Sequence, residues 1–472
     1  MRGTLILAAG AILCYGAWGI ADLGFYHDDW TLLCTLHFAP PDFHARLLAL
    51  LQAFPFQWYR PLDLPLWTAL FGLFGLEPLG WQAAMLTANF LLAALAAALL
   101  RAYRAPPRLA VLGGLLFLSF PNKDATLFWP IDIVVTLSLA LCLSAYLLHL
   151  RYQENGRAGV LGLSVAALAA GLLFYDQCAF FPLLWPMTPD LLELGVTPRL
   201  KRSCAAAAGV FALFLGYKLF FVPHVLKVSS GKTLMLAPLR FFIVYAKGLN
   251  ASCGPKLLLA VGRGVLGAFR FSPPLACAAL ALPWLVKAER FRGRSLMILG
   301  GGLFILGYLP LVFTDYNPTA VNHQNRLNLA ASLGLVLILA AAGTPRLLRA
   351  LCALTLTATL GFSRTWAESA RRQEQVKQII QNLPRHWPAG SLLLLKLPER
   401  YVDDKAPVFD APWDFRAAAR LWTEDPSRSA NVISPRMTFG PEGVFEPGEG
   451  LTPYASISLL DAEKRTISTM SR

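Results

Sequence analysis

Long apolar runs alternate with short polar connections over the first three quarters of the chain. Eleven of these runs are long enough, or nearly long enough, to cross the roughly 30 Å hydrocarbon core of a bilayer. They lie at 3–21, 79–100, 109–121, 133–150, 158–175, 177–188, 203–222, 272–286, 295–313, 327–343 and 347–363. The pattern predicts an all-α polytopic membrane protein with about eleven transmembrane helices.

Two further apolar stretches, at 63–77 and 236–270, are ambiguous by the same criterion. The second carries Arg or Lys at regular intervals along its length. Such a pattern favours helices that lie in the membrane interface over a further span.

The chain becomes polar at Arg364. Helical periodicity covers 366–383 and 414–421, while apolar runs at 391–397 and 430–434 are typical of buried strands. We therefore predict a transmembrane domain at 1–363 and a small soluble α/β domain at 364–472.

Composition supports this division. Charged residues make up 15% of the chain, against roughly 25% in an ordinary soluble domain, and the mean hydropathy is +0.51. These values exclude a disordered chain and an ordinary soluble enzyme. A net charge of +14 would suggest nucleic-acid binding in a soluble protein. Here the basic residues fall in short loops that the positive-inside rule places in the cytoplasm, so no nucleic-acid partner is expected.

The same rule places the N-terminus in the cytoplasm and the C-terminal domain on the extracytoplasmic side. Most carboxylates of residues 1–363 then gather on the outer face: Asp22, Asp28, Asp29, Asp42, Asp63, Glu77, Asp124, Asp132, Asp176 and Asp315. Chemistry is therefore expected on that face.

An acidic pair, Asp28-Asp29, follows the first apolar run. Two adjacent carboxylates repel, which raises the pKa of one of them and suits it to act as a general base. The alternative is a solvated loop whose acids cap the next helix.

An Arg-Pro element, Tyr59-Arg60-Pro61-Leu62, ends the same outer loop. The guanidinium offers two parallel donors to a phosphate or carboxylate, and the aromatic residue before it could stack on a sugar. Interfacial anchoring by an aromatic belt with a snorkelling Arg60 is the alternative.

Residues 121–132 join two spans on the outside and carry Asp124, Trp129 and Asp132. Charged groups so close to lipid need partners or water. The segment is either part of a polar site or an exposed linker.

Asp176 interrupts an apolar run, and Lys218 places an ammonium group near the outer end of another. Ionisable residues within membrane segments are functional candidates, and these two could belong to one polar cluster. A purely structural pair, or a snorkelling Lys218, is the alternative.

Amides and imidazoles surround Arg326 in the segment 322–328, Asn-His-Gln-Asn-Arg-Leu-Asn, which includes His323 and Asn325. At a helix N-terminus, backbone N–H groups and the helix dipole both favour an anion. A polar cap on a membrane helix is the alternative.

The sequence contains no nucleotide-binding motif, no zinc-ligand spacing and no nucleophile elbow. No cofactor is required by these motifs. A divalent metal bound by the acidic pair is conceivable but not indicated.

The order of these elements resembles the GT-C superfamily of multi-spanning glycosyltransferases, which take a sugar from a polyprenyl phosphate on the outer or lumenal face. Asp28-Asp29 matches their acidic pair in the first outer loop, and Tyr59-Arg60-Pro61-Leu62 matches their Arg-Pro-Leu element. Protein O-mannosyltransferases, bacterial lipid A aminoarabinose transferases and the lumenal mannosyltransferases with tetratricopeptide tails belong to this superfamily.

Three later segments extend the resemblance. Residues 121–132 are similar to the family's proline-acid-tryptophan-acid loop, and Asp176 ahead of Pro182 is similar to its acidic element. The segment 323–327, His-Gln-Asn-Arg-Leu, looks like the His-Asn-Arg-Tyr element.

The resemblance implies a hexosyl- or pentosyltransferase with a polyprenyl-phosphate sugar donor and a glycan, lipid or protein acceptor. Asp28 or Asp29 would act as general base with inversion, and the phosphate ligands would be Arg60, Lys218 and Arg326. The other motif residues would bind substrate: Tyr59, Asp124, Trp129, Asp132, Asp176, His323 and Asn325. The expected location is the bacterial inner membrane, in contact with membrane lipids.

A flippase, polymerase or transporter of lipid-linked saccharides is the alternative function. Transport favours acids and helix breaks deep within spans, whereas here they cluster at the outer ends of spans.

Overall fold

The computed structural model divides the chain into two compact units. The first comprises Met1–Ile20, Phe54–Leu66 and Trp81–Arg364, and the second comprises Ala21–Ala53, Trp67–Gly80 and Thr365–Arg472. The structure describes residues 2–16, 19–189, 195–228, 238–382, 387, 391–434, 437–440, 443–446, 450–452, 454, 456–464 and 466–471. The domain boundary after residue 363 stays a prediction.

Helices dominate the described residues. They are α1 (Arg2–Cys14), α2 (Asp28–Phe38), α3 (Phe43–Ala53), α4 (Asp63–Phe74), α5 (Pro78–Ala102), α6 (Pro107–Leu118), α7 (Ala125–Phe128), α8 (Ile133–Asn155), α9 (Ala158–Phe174), α10 (Pro198–Gly216), α11 (Pro238–Cys253), α12 (Pro255–Phe271), α13 (Pro273–Ala281), α14 (Arg294–Val312), α15 (Leu329–Ala342), α16 (Pro345–Asn382) and α17 (Pro412–Thr423). Many begin with proline, whose missing N–H has no partner in a first helical turn anyway.

Within the part of the chain that the structure describes, six helical segments are long and apolar enough to cross a membrane. They are Gly3–Asp22, Pro78–Ala102, Pro130–Asn155, Pro198–Val225, Arg294–Val312 and His323–Ala342. Shorter apolar helices cover Asp63–Phe74, Pro107–Leu118, Ala158–Phe174 and Pro273–Leu285. The predicted polytopic, mostly helical membrane fold is confirmed, while its orientation in the bilayer stays a prediction.

The span predicted at 177–188 is wrong. This stretch forms two short 3₁₀ turns, Asp176–Cys178 and Phe181–Leu184. Pro182 and Pro186 lack the backbone N–H that a continuous helix needs, so apolarity alone does not make the stretch a span. The chain therefore leaves α9 irregularly at the point where Asp176 stands.

The two helices predicted at 347–363 and 366–383 form one continuous helix, α16. No proline or glycine follows Gly361 before Asn382, so nothing in the sequence stops the helix where its composition turns polar. The change in polarity at Arg364 falls at the border between the two units.

The ambiguous stretch at 236–270 forms the amphipathic helices α11 and α12, apart from 236–237, which lie outside the described residues. On α12 a buried stripe repeats every three or four residues: Leu257, Ala260, Gly264 and Ala268. The opposite face exposes Leu258, Leu259 and Arg263. This mixture of apolar and basic side chains is the pattern predicted for helices in the membrane interface.

Helices α14 and α15 approach each other through glycine. A Cβ atom added to Gly334 would lie 2.5 Å from the carbonyl oxygen of Gly300. Only small residues allow backbones to come this close, and such contacts are common between membrane helices. The contact fixes α15, whose preceding turn carries Arg326.

The second unit contains a four-stranded sheet in the order β4-β1-β8-β9. Strand β1 (Leu392–Lys396) is parallel to β4 (Ser429–Val432) and to β8 (Ser456–Asp461), and β9 (Thr466–Ser471) closes one edge antiparallel to β8. Smaller sheets are formed by β2 (Tyr401–Val402), β3 (Ala406–Pro407), β5 (Thr438–Gly440), β6 (Gly443–Glu446) and β7 (Gly450–Thr452). The predicted C-terminal α/β fold is confirmed.

Both faces of β1 are buried. Leu393 and Leu395 pack with Phe409 and Phe415 in the main core of this unit, whereas Leu392 and Leu394 join a second cluster with Met437. A strand buried on both faces reads as a continuous apolar run, as 391–397 does. The N-terminal part of the unit packs on the main core through Trp30.

Candidate functional site

Two cations converge on one carboxylate in the first unit. The Nε atom of Arg60 lies 3.1 Å from Asp176 Oδ2, and the ammonium of Lys218 pairs with Asp176 Oδ1. Asp176 keeps 41% of its side chain exposed, while the cations are 19% and 10% exposed. We call these three residues the cation cluster. The interpretation that Asp176 and Lys218 belong to one polar cluster is confirmed.

Aromatic residues and backbone carbonyls hold the cations in place. The Arg60 guanidinium lies 4.1 Å from the centre of the Tyr175 ring, within the range of a cation–π contact. Lys218 also donates to the carbonyl of Tyr59, whose hydroxyl donates to Val228 O at 3.1 Å. Both cations are therefore fixed by contacts to other segments, as a preorganised anion site requires.

Lys218 stands in a π-helical segment, Tyr217–Val225, that continues α10. Such segments are rare and frequently occur at functional sites. Pro223 lies inside this segment and cannot donate a backbone hydrogen bond, which accounts for the departure from α-helical geometry. The wider turn places Lys218 beside Tyr59.

Asp63 is a member of this region that the sequence does not single out. Its backbone N–H donates to Arg60 O at 3.1 Å, and its side chain is fully buried. Among the described residues, neither carboxylate oxygen of Asp63 has a hydrogen-bond partner. The available signals were its place among the predicted outer-face carboxylates and its position three residues after Arg60.

A second polar group surrounds Arg326. Its Nε lies 3.7 Å from Asp132 Oδ1, and its guanidinium lies 4.7 Å from the centre of the Trp129 ring. The Trp129 ring meets the ring of His323 edge to face at 5.7 Å. We call these four residues the Arg326 group, which places four of the predicted site residues together.

One hydrogen bond links the segment of the cation cluster to the segment of the Arg326 group. Gln177, next to Asp176, donates through its side-chain amide to the carbonyl of Leu327, next to Arg326. The irregular turn after α9 and the 3₁₀ turn before α15 are thus joined directly. The partner of Arg60 and Lys218, Asp176, is therefore joined to the segment that carries Arg326.

Asp124 and Asn325 serve the packing of the loop that carries Trp129. Both are buried, at 1% and 0% exposure. The Asn325 amide donates to Asp124 Oδ1 and its carbonyl accepts from Ala125 N at 3.1 Å. Asn328 adds a bond to Asn122 O at 2.7 Å. Direct contact of Asp124 or Asn325 with substrate stays a prediction, but their observed contacts are within the protein.

We predict that Asn325→Leu destabilises the first unit by about 2 to 4 kcal/mol, because it removes two buried hydrogen bonds and takes a donor from the buried Asp124. The thermal melting midpoint of the purified protein measures this. Gln324→Leu, at a half-buried neighbour, is the matched control. Equal melting midpoints for the two variants would show that the Asn325 contacts do not stabilise the loop.

The two acids of the pair have different environments in the second unit. Asp29 is 2% exposed and its Oδ2 accepts from Tyr26 N at 2.8 Å, so it fixes the backbone at the start of α2. Asp28 keeps 42% of its side chain exposed. Both stand in the first helical turn, where the dipole favours negative charge. Asp29 is therefore a buried structural acid that holds the backbone before α2, and Asp28 is the accessible carboxylate.

Asp28 is contacted by the side chain of the preceding residue and by a side chain much later in the sequence. His27 Nδ1 lies 2.8 Å from Asp28 Oδ1, and Trp413 Nε1 donates to the same oxygen at 2.9 Å. The other ring nitrogen of His27 lies 3.9 Å from Asp410 Oδ2. Neither Trp413 nor Asp410 was recognisable from the sequence as a partner of Asp28, because they follow it by almost four hundred residues.

Burial alone would lower the pKa of His27, but the carboxylates of Asp28, Asp414 and Asp410 raise it to about 9. Burial raises the pKa of Asp414 to about 7, against the opposing charge of His27. Both groups therefore bind protons more tightly in the folded protein than at their ordinary values of 6.5 and 3.8.

Because the folded state holds the extra protons, stability falls as pH rises. For His27 the contribution is complete below pH 6.5 and is lost as the pH passes about 9; for Asp414 it is lost between 3.8 and about 7. We expect the melting midpoint of the second unit to fall by several degrees between pH 6.5 and 9, and His27→Gln to reduce that fall. A midpoint that rises over this range would contradict the assignment.

No group of three or more His, Cys, Asp or Glu side chains among the described residues is placed to hold a metal ion. The acids of the pair point to different surroundings, since Asp29 is buried against backbone. The residues of the cation cluster and of the Arg326 group suit an anion instead.

No protein-family model matches the chain, and no curated protein sequence matches it. Among solved structures the chain is similar to the crystal structure of ArnT from Cupriavidus metallidurans bound to undecaprenyl phosphate. The likeness covers 91% of this chain and 85% of that chain, with 12% sequence identity and a TM-score of 0.48. A likeness this distant establishes neither a family nor a function.

Proposed function

We propose that this chain is an integral-membrane glycosyltransferase of the GT-C type. It would transfer a sugar from a polyprenyl-phosphate donor to an acceptor hydroxyl on the outer face of a bacterial inner membrane. The observation that carries the proposal is the convergence of Arg60 and Lys218 on the half-exposed Asp176. Two fixed cations at a polar turn between apolar segments suit the phosphate of a lipid whose chain stays in the bilayer.

The reaction assigns each charged group a role. The Asp28 carboxylate takes the proton of the acceptor hydroxyl, and the acceptor oxygen bonds to the anomeric carbon. The bond from that carbon to the phosphate oxygen breaks, and polyprenyl phosphate leaves with the bonding electrons. Arg60, Lys218 and Arg326 stabilise its charge, and the single displacement inverts the anomeric centre.

Asp28 is the better candidate for the base because its carboxylate is accessible, whereas Asp29 is engaged by backbone. Tyr59, Trp129, Asp132, Asp176 and His323 stand beside the cations and are proposed to contact the donor. Asp124 and Asn325 would act through the loop that they hold.

Mass spectrometry of envelope glycans from cells with and without the gene tests the function. A glycosyltransferase predicts glycans or lipids that lack one sugar residue while the rest of the structure is exported normally. If the protein is instead a flippase, its loss causes complete lipid-linked saccharide to accumulate. Complete lipid-linked saccharide that accumulates while the exported glycan decreases, with no structure that lacks a single sugar, would refute transfer.

Arg326→Ala is expected to raise the Michaelis constant for the donor by about tenfold or more, because a charge-assisted contact to phosphate contributes roughly 1.5 to 3 kcal/mol. Steady-state kinetics in proteoliposomes measures the change. The melting midpoint checks that the contacts to Trp129 and His323 O are not needed for folding. An unchanged Michaelis constant would remove Arg326 from the phosphate site.

A further inference from the structure

The accessible acid of the pair is held by the C-terminal part of the chain within the second unit. Trp413, in the first turn of α17, donates its indole N–H to Asp28 Oδ1 at 2.9 Å. His27 approaches the same oxygen at 2.8 Å. The Asp28 carboxylate thus accepts one hydrogen bond from Trp413 and forms an ion pair with His27, so its direction is set by α17 and by His27.

His27 is itself held by the same segment. Its Nε2 lies 3.9 Å from Asp410 Oδ2, and its ring meets the Trp413 ring edge to face at 5.7 Å. Asp410 is held in turn by the Tyr401 hydroxyl, which donates to its Oδ2, and by Arg400, which donates to its carbonyl at 3.0 Å. Asp28 is therefore connected through His27 and Asp410 to the C-terminal segment of the second unit.

The backbone at His27 is strained. Its φ angle is 47°, a region that residues other than glycine seldom adopt. Such conformations cost of order 1 to 3 kcal/mol and persist where surrounding contacts determine them. Here those contacts come from side chains at its two ring nitrogens, and strain of this kind is concentrated at functional sites.

Asp414 anchors the loop that presents these partners. Its Oδ2 accepts from Asp410 N at 2.9 Å and from Ala411 N at 3.2 Å, which ties the loop to the start of α17. The ionisable groups that act on the imidazole are thus Asp28 on its own helix, and Asp410 and Asp414 from the C-terminal segment. An imidazole among three carboxylates favours its cationic form, which in turn favours the ionised form of Asp28.

We propose that the C-terminal segment 365–472 positions the reactive carboxylate of Asp28, directly through Trp413 and indirectly through Asp410 and His27. The inference rests on the proposed function, since it assigns the C-terminal segment a role in that same reaction. His27 and Trp413 are positioning residues, because neither is assigned a contact with donor or acceptor. A base held at a fixed angle and in its ionised form is what proton abstraction requires.

The test measures transfer by the full-length protein in proteoliposomes. Trp413→Phe keeps an aromatic ring and removes the donor; His27→Gln keeps a polar side chain and removes the charge. Each is expected to lower kcat by about tenfold to hundredfold with little change in the Michaelis constant for the donor. In His27→Gln the acidic limb of the pH profile of kcat should move to higher pH, because the cation that favours ionised Asp28 is gone.

Matched controls exist on the same two helices. His37 of α2 pairs with Glu424 at 2.9 Å, and Trp422 of α17 packs on Trp30 at 5.4 Å. His37→Gln and Trp422→Phe remove the same chemical groups away from Asp28 and should keep kcat and the pH profile of the parent. Equal losses in test and control variants, or no loss in either test variant, would overturn the proposal.

A measurement that does not depend on transfer separates the two proposals. The protein is labelled with ¹⁵N-histidine, and the His27 resonance is assigned from its loss in His27→Gln. At pH 8 this resonance should show a protonated ring in the wild type. In Asp28→Asn it should show a neutral ring at the same pH. If wild-type protein transfers no sugar, the proposed function fails, and this titration still decides whether the contacts on Asp28 exist. A His27 ring that titrates near 6.5 in the wild type would overturn the positioning role.

Discussion

Asp28→Asn is expected to lower kcat for sugar transfer by about 10²- to 10⁴-fold, the range that general-base catalysis contributes. The substitution is nearly isosteric, and the asparagine carbonyl can still accept the Trp413 indole bond that Asp28 accepts now. The fold should therefore survive while the proton acceptor is lost. Single-turnover measurements in proteoliposomes would isolate the chemical step from substrate binding.

Asp29→Asn is the matched control for this variant. Its side-chain carbonyl can still accept from Tyr26 N, so the start of α2 should form. We expect kcat within about tenfold of the wild type and a melting midpoint a few degrees lower, because a charged acceptor is worth more than a neutral one. Should Asp29→Asn lose transfer as fully as Asp28→Asn while keeping its melting midpoint, the base would be Asp29.

Lys218→Met is expected to weaken the binding of polyprenyl phosphate by about tenfold to hundredfold, the equivalent of roughly 1.5 to 3 kcal/mol for a hydrogen bond to a charged group. Methionine preserves the volume of the side chain among Tyr59 and Phe214 while removing the ammonium. Equilibrium binding to the detergent-solubilised protein measures the loss.

Two further variants show whether a loss of binding in Lys218→Met is specific to the cation cluster. Arg349→Gln removes a guanidinium whose hydrogen bonds go to Val286 O and Ala288 O, and should bind polyprenyl phosphate as the wild type does. Asp176→Asn removes the anion that Arg60 and Lys218 share, and should bind it at least as tightly. Wild-type affinity in Lys218→Met would show that the cation cluster is structural.

The helices were predictable because their signal is local. A run of apolar residues as long as 79–100 predicts a membrane-spanning helix, and α5 covers Pro78–Ala102. The span predicted at 177–188 was wrong because the prediction rested on apolarity, and the two prolines of this short stretch prevent a continuous helix. The same local logic found β1, whose leucines are buried on both faces.

Only the parts of the candidate site that the residue type alone indicates were predictable. Arg60, Asp176 and Lys218 were recognisable because charges near lipid need partners, and they do pair. The sequence did not show that Asp28 is exposed and Asp29 is buried, because this difference depends on which carboxylate contacts the backbone of Tyr26. Trp413 and Asp410 were equally hidden, since periodicity says nothing about contacts between distant segments.

The shared core of the second unit also determines when residues 21–53 can complete their folding. The indole N–H of Trp30 donates to the side-chain carbonyl of Gln373, a partner 343 residues later in the chain. Residues 21–53 must therefore wait, after leaving the ribosome, until every intervening span has been synthesised and inserted. During that interval the acidic pair has none of its C-terminal contacts, so the surroundings of Asp28 are completed only at the end of synthesis.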